Sequence, residues 1–418
     1  MRILYKLNQV DPITYYNSKR TVTIGTDYKK KRNEFRGVWV STVANIDLPI
    51  MKDIESYQNY LRDIVKTVAS YNMNRIIFQV RPANDALYQS KINPWSRFIT
   101  GTEDVNPGFD LLAFMIEEAK QYGIKVHAWM NPYRVSTQDL TKLNMTKEEY
   151  LETLSPKNFA RINPEETIVD GINKVILKPA SQKVRDFVCQ TIMEVIEHYD
   201  IEGVHIDDYF YPYAKVPESE ELSDYDVQKL DGESFSDWRR RNVDMLIEQL
   251  SKNIKQFNQS TSKHVTFGIS PFALFRTNKK LLSTGWEKGS MNHPNILQCY
   301  DDLYSDIYKW MEQQWIDYVV PQAYFPFEHE KLPYADIVSW WAERALETKT
   351  TIYIGQAFYQ IGTNDVWKNT DEIINQLIFN QKYENISGSI FFTYKNFVAQ
   401  DNEYLTQAQQ KLKDLWNK

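Results

Sequence analysis

Hydrophobic residues along this chain gather in eight short runs, and longer stretches with helical periodicity separate one run from the next. Each run is apolar and bounded by Pro, Gly, Asn or polar residues, which is typical of buried strands. The runs lie at 35–41, 75–80, 125–130, 203–207, 266–270, 316–321, 351–356 and 388–392. Eight alternations of strand and helix, without a Gly-rich first turn, predict a (β/α)8 TIM barrel of the α/β class rather than an open sheet.

The domain organisation follows from the lack of any dividing segment. No Gly/Ser linker or low-complexity tract interrupts the chain, so we expect one barrel over residues 34–397. Residues 1–33, which contain the basic stretch Lys29–Arg32, are expected to form a solvated surface segment that packs on the barrel. Residues 398–418 are expected to form a helical C-terminal tail.

Five predicted strands are followed by segments rich in polar and aromatic residues. These segments are 81–88, 131–134, 207–213, 271–276 and 322–325. The C-terminal ends of barrel strands meet at one face, and active sites are built there. The longest insertions follow the second, third, fourth and fifth strands. We therefore expect extended βα loops that wall one side of the barrel mouth and form a cleft for an extended ligand.

Two adjacent carboxylates, Asp207 and Asp208, end the fourth predicted strand and are the candidate catalytic residues. Alternation along the strand points His205 and Asp207 into the barrel. Asp208 faces the other way in a regular strand, so it joins the site only if the strand ends there. The alternatives are an ion pair inside the barrel for Asp207 and a helix or loop cap for Asp208.

The other candidate residues, which we expect to bind substrate, point into the barrel or follow a predicted strand end. They are Arg81, Asp85, His127, Trp129, Asn131, Tyr133, Arg134, His205, Tyr209, Gln322, Tyr324 and Gln356. Asp85 could equally cap a helical turn. His127 and His205 could ligate a metal together with Asp207, but no His-x-x-x-His or paired-cysteine spacing supports such a site, so we expect none.

Composition and charge narrow the class of partner. Aromatic residues make up 14% of the chain, with 27 Tyr and 11 Trp, and such residues often line carbohydrate clefts, although large cores also take them up. The 49 basic residues are outnumbered by 55 acidic ones, so there is no basic excess to bind a nucleic acid. Cys189 and Cys299 lie far apart in sequence and indicate no disulfide framework.

The N-terminal residues do not predict export. Polar residues interrupt the apolar run in MRILYKLNQVDPITYY before the core of a signal peptide can form. No stretch approaches the apolar length that a bilayer span requires. As it stands, the sequence predicts a cytoplasmic protein without a membrane span, and an exported protein if a leader precedes it.

Motifs of several other enzyme classes are missing. The sequence has no Gly-x-Ser-x-Gly elbow, no Walker loop and no dinucleotide fingerprint, so we expect no cofactor. Most glycosidases need two carboxylates that flank the scissile bond. Here the fifth, sixth and seventh strands end in Ser270, Gln322 and Gln356, and the usual glutamates of the fourth and seventh strands are absent.

Six blocks in order along the chain resemble the glycosyl-hydrolase-like family 10. They are 35–42, 79–88, 93–96, 126–134, 203–212 and 318–324, within a resemblance that runs from about residue 35 to about residue 395. The resemblance implies a TIM-barrel glycosidase with an aromatic-lined cleft, in a group that includes a hydrolase of denuded peptidoglycan glycans. Members are commonly exported or lipid-anchored, and the N-terminus of this chain departs from that pattern.

The adjacent Asp207 and Asp208 also resemble the pair used by some substrate-assisted N-acetylglucosaminidases. By that resemblance Asp207 orients the 2-acetamido group of the substrate and Asp208 is the general acid, with the order of the two roles left open. The protein would then hydrolyse a glycan containing N-acetylhexosamine, such as peptidoglycan strands. Two alternatives stay open: an α-glucan-type glycosidase with Asp207 as nucleophile, and a carbohydrate-binding barrel without catalysis.

Overall fold

Eight parallel strands close into a barrel in the computed structural model, which describes residues 1–417. All strands of the described residues, including the two short pairs β1–β2 and β6–β7 outside the barrel, are in chain order β1 (Arg2–Ile3), β2 (Thr23–Ile24), β3 (Phe35–Val40), β4 (Arg75–Arg81), β5 (Lys125–Met130), β6 (Thr167–Val169), β7 (Val175–Leu177), β8 (Gly203–Ile206), β9 (Thr266–Ile269), β10 (Tyr318–Val319), β11 (Thr351–Gln356) and β12 (Ile386–Phe391). Around the barrel the order is β3, β4, β5, β8, β9, β10, β11 and β12, and β12 pairs with β3. Each predicted run overlaps one barrel strand, so the (β/α)8 fold is confirmed.

Helices cover the outside of the barrel and connect its strands. In chain order they are α1 (Ile54–Ser70), α2 (Arg97–Thr100), α3 (Leu111–Gln121), α4 (Leu140–Leu143), α5 (Lys147–Glu152), α6 (Phe159–Ile162), α7 (Gln182–His198), α8 (Leu222–Gln228), α9 (Phe235–Ser260), α10 (Ile307–Glu312), α11 (Tyr334–Thr348), α12 (Glu372–Asn380) and α13 (Glu403–Asn417). Side chains of Asp110, Ser181 and Ser234 accept hydrogen bonds from first-turn N–H groups and so fix where α3, α7 and α9 begin. Within residues 1–417, none of these helices has the length and apolar character to cross a membrane.

Alternation along the barrel strands separates two kinds of side chain. Aliphatic residues such as Ile206 face the helices and join the core between strands and helices. Rings face the inside of the barrel, and two glycines make room for them. A Cβ at Gly203 would lie 2.5 Å from His127 Nδ1, and one at Gly268 would lie 2.0 Å from Tyr318 Cζ. The close approach of these rings therefore requires glycine at both positions.

The loops at the C-terminal ends of the strands differ in length. The long ones follow β4, β5, β8 and β9, as the sequence predicts, and they carry α2, α4 to α6, α8 and the β6–β7 hairpin. A backbone bridge between Arg134 and Ile176 of β7 ties that hairpin to the segment after β5. These loops raise one side of the barrel mouth above the strand ends.

Residues 1–33 lie on the outer surface and include the short antiparallel pair β1–β2. Arg2 donates to Asn375 Oδ1 of α12 at 2.7 Å, which attaches the pair to the barrel helices. In the basic stretch, the Lys30 ammonium donates to the carbonyl oxygen of Trp416 at 3.0 Å, near the end of α13. This segment therefore contacts the helical layer and satisfies a backbone carbonyl at a helix C-terminus.

The C-terminal helix α13 follows β12, the eighth barrel strand along the chain, and lies within the predicted helical tail 398–418. It lies beside α12, where Lys411 donates to Thr370 Oγ1 at 2.7 Å. Trp416 is fully buried, and its ring centroid lies 5.4 Å from that of Phe391 on β12. The predicted helical C-terminal segment is therefore a helix that covers apolar surface near the β12–β3 closure.

Candidate active site

A cavity of about 430 Å3 opens at the C-terminal ends of the barrel strands. Residues at or just after the ends of seven barrel strands line it: Trp39 from β3 and Ser41 after it, Gln79 from β4, Trp129 from β5, Asp207 and Asp208 after β8, Ser270 after β9, Gln322 after β10, and Phe392 after β12. Loop residues, most of them aromatic, complete the walls. This is the face on which barrel enzymes carry their active sites.

Asp207 is held in the cavity by three hydrogen-bond donors. The strand alternation that points His205 inward also directs Asp207 into the barrel mouth. Its carboxylate accepts from Trp129 Nε1 at 3.0 Å, from Asn131 Nδ2 at 3.0 Å and from the backbone N–H of Tyr209 at 3.1 Å. Burial raises the pKa of Asp207, and these donors together with the Arg134 charge oppose that rise. The donors favour the ionised carboxylate.

Asp208 lines the same cavity because β8 ends at Ile206, so its side chain no longer follows strand alternation. Burial, and then the neighbouring charge of Asp207, raise the pKa of Asp208 to about 7, although hydrogen bonds with Tyr213 and Gln322 act to lower it. The Tyr213 hydroxyl donates to Asp208 Oδ2. At neutral pH a large share of molecules therefore carry a proton on Asp208, as a general acid requires.

These two residues supply the carboxylates of the cavity, and none of its other lining residues within the described part of the chain is acidic. Asp207 accepts from three donors, whereas Asp208 retains a proton close to neutral pH. Burial raises the pKa of both acids, but the donors to Asp207 favour its ionised form, while the charge of Asp207 adds to the rise for Asp208. The two acids can therefore divide the roles of charge stabiliser and proton donor. The arrangement can protonate a leaving group while a negative charge stays beside the reacting centre.

A second cavity of about 330 Å3 adjoins the first. Both cavities are lined by Arg134, Tyr209 and Tyr213. The Tyr209 and Tyr213 rings stack with centroids 5.0 Å apart, and the Arg134 guanidinium lies 5.0 Å from the centroid of the Tyr209 ring. Aromatic faces suit the apolar faces of sugar rings, so the two cavities offer adjacent places for the units of an extended ligand.

Most sequence-predicted site residues meet at these cavities. Nine of them line one or both: Trp129, Asn131, Tyr133, Arg134, Asp207, Asp208, Tyr209, Gln322 and Tyr324. Gln322 is fixed by a hydrogen bond of 3.0 Å from its Nε2 to the carbonyl oxygen of Ser270. Tyr133 contributes its ring to the second cavity, while its hydroxyl is buried.

Arg81 and Gln356 point away from the cavities, so the structure does not bring these two predicted substrate-binding residues to the cavity lining. The register between β4 and β5 shifts between Gln79 and Arg81, which turns Arg81 outward. Its guanidinium lies 5.5 Å from the ring centroid of Phe187 on α7. Gln356 has the opposite parity to the inward Tyr353 of β11, and its Nε2 donates to the hydroxyl of Tyr334 on α11 at 2.8 Å.

Asp85, His127 and His205 also lie outside the cavity lining. Asp85 is buried in the loop after β4, where it accepts from the backbone N–H of Ala83 at 3.2 Å, so the local structural role is the one observed. His127 lies deep in the barrel and contacts Glu202 at 3.1 Å. His205 lies beneath the cavity floor, so neither histidine reaches the place where a ligand would bind.

Several cavity residues were missed in the sequence. Trp39 and Gln79 continue the inward alternation of their strands, and this parity was the signal that could have identified them. Gln79 Oε1 also accepts from the backbone N–H groups of Thr42 and Val43 at 2.9 and 2.8 Å. Tyr213 gave no comparable signal, because its contact with Asp208 depends on how the loop after β8 turns.

Comparisons with known proteins agree with this architecture. The family model described as Glycosyl hydrolase-like 10 matches residues 34–372. The chain is 35% identical over 371 residues to glycosyl hydrolase YngK of Bacillus subtilis (strain 168), covering 87% of this chain and 68% of the relative. It is 34% identical over 377 residues to glycosyl hydrolase DigH of Escherichia coli (strain K12), covering 85% of this chain and 82% of the relative.

A solved structure supports the fold alone. Alpha-L-fucosidase isoenzyme 2 from Paenibacillus thiaminolyticus matches with a TM-score of 0.54 at 11% sequence identity. The match covers 91% of this chain and 49% of the fucosidase chain, so this chain spans about half the length of that protein. At such low identity the shared feature is the barrel.

Proposed function

Since the chain belongs to the glycosyl hydrolase-like 10 family, we propose that it is a glycoside hydrolase. Its proposed substrate is a glycan containing N-acetylhexosamine, such as peptidoglycan strands. One observation carries the proposal: the two carboxylates of the cavity are the adjacent Asp207 and Asp208, with none facing them across it among the lining residues of the described chain. A mechanism in which the substrate supplies the nucleophile needs no opposing carboxylate.

The proposed first step divides the work between the two acids. Asp208 gives its proton to the glycosidic oxygen while the bond from that oxygen to the anomeric carbon breaks, and the oxygen keeps the bonding electron pair. The acetamido oxygen of the same sugar then bonds to the anomeric carbon and forms an oxazolinium ion. Asp207 accepts a hydrogen bond from the acetamido N–H, and its negative charge stabilises the cation.

The second step restores the enzyme. Water attacks the anomeric carbon and breaks its bond to the acetamido oxygen, which regains its electron pair. Asp208, now ionised, takes the proton of that water, so the acid of the first step is the base of the second. Trp129, Asn131 and the Tyr209 N–H hold Asp207 in one orientation through both steps.

The direct test uses two aryl glycosides that differ only at C2, one with an acetamido group and one with a hydroxyl. We expect turnover of the acetamido compound alone, because only it carries the nucleophile. Equal turnover of the hydroxyl compound would reject substrate assistance and leave Asp207 as a nucleophile on an α-glucan-like substrate. Mass spectrometry of chitin oligomers, denuded peptidoglycan glycans and α-glucans then identifies the glycan that is cleaved.

Three variants separate catalysis from folding. Asp207→Asn and Asp208→Asn should each lower turnover of the natural glycan by about 10²–10⁴-fold, the usual value of a positioned acid or base. Asp85→Asn is the matched control, because Asp85 is equally buried but lies outside the cavity. A folded wild-type protein that cleaves none of the glycans would favour a carbohydrate-binding barrel without catalysis.

A further inference from the structure

A continuous chain of hydrogen bonds runs through the barrel from its base to the floor of the first cavity. Glu202 Oε2 contacts His127 Nε2 at 3.1 Å, and His127 Nδ1 contacts the Tyr318 hydroxyl at 3.0 Å. The same hydroxyl contacts His205 Nδ1 at 3.1 Å, and His205 Nε2 contacts Ser270 Oγ at 2.9 Å. We call these five residues the lumen relay. Its upper end, Ser270, lines the cavity.

The chemistry of the two ends fixes the direction of every hydrogen bond in the lumen relay. Trp39 Nε1 lies 3.3 Å from His205 Nε2, and an indole nitrogen can only donate. His205 Nε2 must therefore be unprotonated, so His205 carries its proton on Nδ1 and donates to Tyr318. The Tyr318 hydroxyl then donates to His127 Nδ1, and His127 Nε2 donates to Glu202.

The lower end agrees with this assignment. Glu202 forms an ion pair with Arg75, and Arg75 Nη2 donates to Glu202 Oε1 at 2.9 Å. Burial acts to raise the pKa of Glu202, but the His127 hydrogen bond and the Arg75 charge outweigh it and the pKa is lowered. An ionised carboxylate only accepts, so it requires a proton on His127 Nε2. The assignments made from the two ends meet at Tyr318 without conflict.

We propose that the lumen relay makes Ser270 a specificity residue, which offers the ligand in the cavity a hydrogen-bond acceptor and no donor. Because His205 Nε2 carries no proton, the contact of 2.9 Å from this nitrogen to Ser270 Oγ requires the Ser270 hydroxyl to donate. The Trp39 N–H, at the longer distance of 3.3 Å, shares the same lone pair. Its remaining lone pairs are then available to the cavity that Ser270 lines. The group placed against Ser270 must be a donor, namely an unsubstituted sugar hydroxyl or an amide N–H.

This inference rests on the proposed function only in taking the ligand to be a glycan. Histidine, tyrosine and glutamate act here as positioning residues, since none of them lines the cavity. Gly203 and Gly268 support the same arrangement, because a side chain at either position would collide with a ring of the lumen relay. A sugar methylated or acetylated on the oxygen facing Ser270 should be rejected.

The tautomers can be measured without any substrate. Long-range 1H–15N NMR of the histidine-labelled protein should give opposite tautomers at neutral pH, with the proton on Nδ1 of His205 and on Nε2 of His127. The six histidines of the chain keep the spectrum simple, and His127→Gln assigns one signal. The same tautomer at both sites, or a doubly protonated ring at either, would overturn the lumen relay. Because no turnover is needed, this result stands apart from the fate of the proposed function.

The role of Ser270 is measured with whichever glycan of the panel the wild type cleaves. Ser270→Ala and Tyr318→Phe should each raise KM about 2- to 10-fold with kcat little changed, the range of one neutral hydrogen bond. If Tyr318 acts through Ser270, the double variant should be no worse than Ser270→Ala alone. Tyr353→Phe is the matched control, because this ring packs against Tyr318 but its hydroxyl forms no hydrogen bond within residues 1–417. Additive effects, or a KM unchanged in Ser270→Ala, would overturn the proposal.

Discussion

At the scale of single residues, the site depends on the different surroundings of two neighbouring carboxyl groups. Asp207 is the last residue to follow the inward alternation of β8 and is met there by three donors. Asp208 comes after the strand has ended and is buried, and the Tyr213 hydroxyl donates a hydrogen bond to it. Burial and the adjacent negative charge then keep a proton on Asp208 near pH 7.

This difference predicts the alkaline limb of the pH profile. Asp208 is active as an acid only when protonated, so kcat/KM should fall as the pH rises through about 7. The Tyr213 hydrogen bond lowers the pKa of Asp208, so Tyr213→Phe should move the limb to higher pH. Tyr359→Phe is the control, since Tyr359 lines the same cavity without a hydrogen bond to Asp208. If the alkaline limb of Tyr213→Phe stays at the wild-type pH, Asp208 is not the group whose titration produces that limb.

At the scale of the elements, strand alternation explains both the successes and the failures of the sequence-based predictions. It identified Asp207, Trp129 and Asn131, because β5 and β8 are regular up to their ends. It failed for Arg81, since a register shift after Gln79 reverses the parity, and such a shift leaves no mark in the composition of the strand.

Loop residues set another limit on what the sequence could predict. Asp208 lines the cavity only because β8 ends at Ile206. The following TyrPheTyrPro indicates an end to the strand but does not determine at which residue it ends. Tyr213 and the second cavity depend on the packing of long βα loops against one another. Periodicity carries no information on such contacts.

The close packing inside the barrel predicts that a larger residue at Gly268 of β9 destabilises the fold. Gly268→Ala should lower the free energy of unfolding by about 1–3 kcal/mol, because the added Cβ would lie 2.0 Å from Tyr318 Cζ. Gly25→Ala serves as the control, since its Cβ would meet no atom closer than 3.4 Å. Urea unfolding of both variants provides the measurement, and equal stability of the two would contradict the close packing of Tyr318 against β9.

At the scale of the whole molecule, the two ends of the chain meet near the closure of the barrel. The N-terminal segment precedes β3 and the helix α13 follows β12, and these two strands are paired. Lys30 and Asn72 both donate to the carbonyl oxygen of Trp416, so α13 is anchored from both sides of that seam.

Loss of the packing of α13 should therefore lower the free energy of unfolding substantially. Trp416→Ala removes a side chain that is 0% exposed and packed against Phe391, and it should lower the free energy of unfolding by about 3–5 kcal/mol. Leu346→Ala, at a side chain that is 68% exposed, should change it by less than about 0.5 kcal/mol. Thermal or urea unfolding distinguishes the two, and a mild Trp416 variant would show that α13 is dispensable to the barrel.

The central claim is that Asp208 protonates the departing glycosidic oxygen, and the Asp208→Asn variant tests it through the leaving group. The measurement compares kcat/KM on an acetamido-sugar oligosaccharide with kcat/KM on the dinitrophenyl glycoside of the same sugar, whose leaving group needs no proton. Asp208→Asn should lose about 10²–10⁴-fold on the oligosaccharide and stay within about tenfold of the wild type on the dinitrophenyl glycoside. An equal loss on both substrates would contradict the assignment of Asp208 as the general acid.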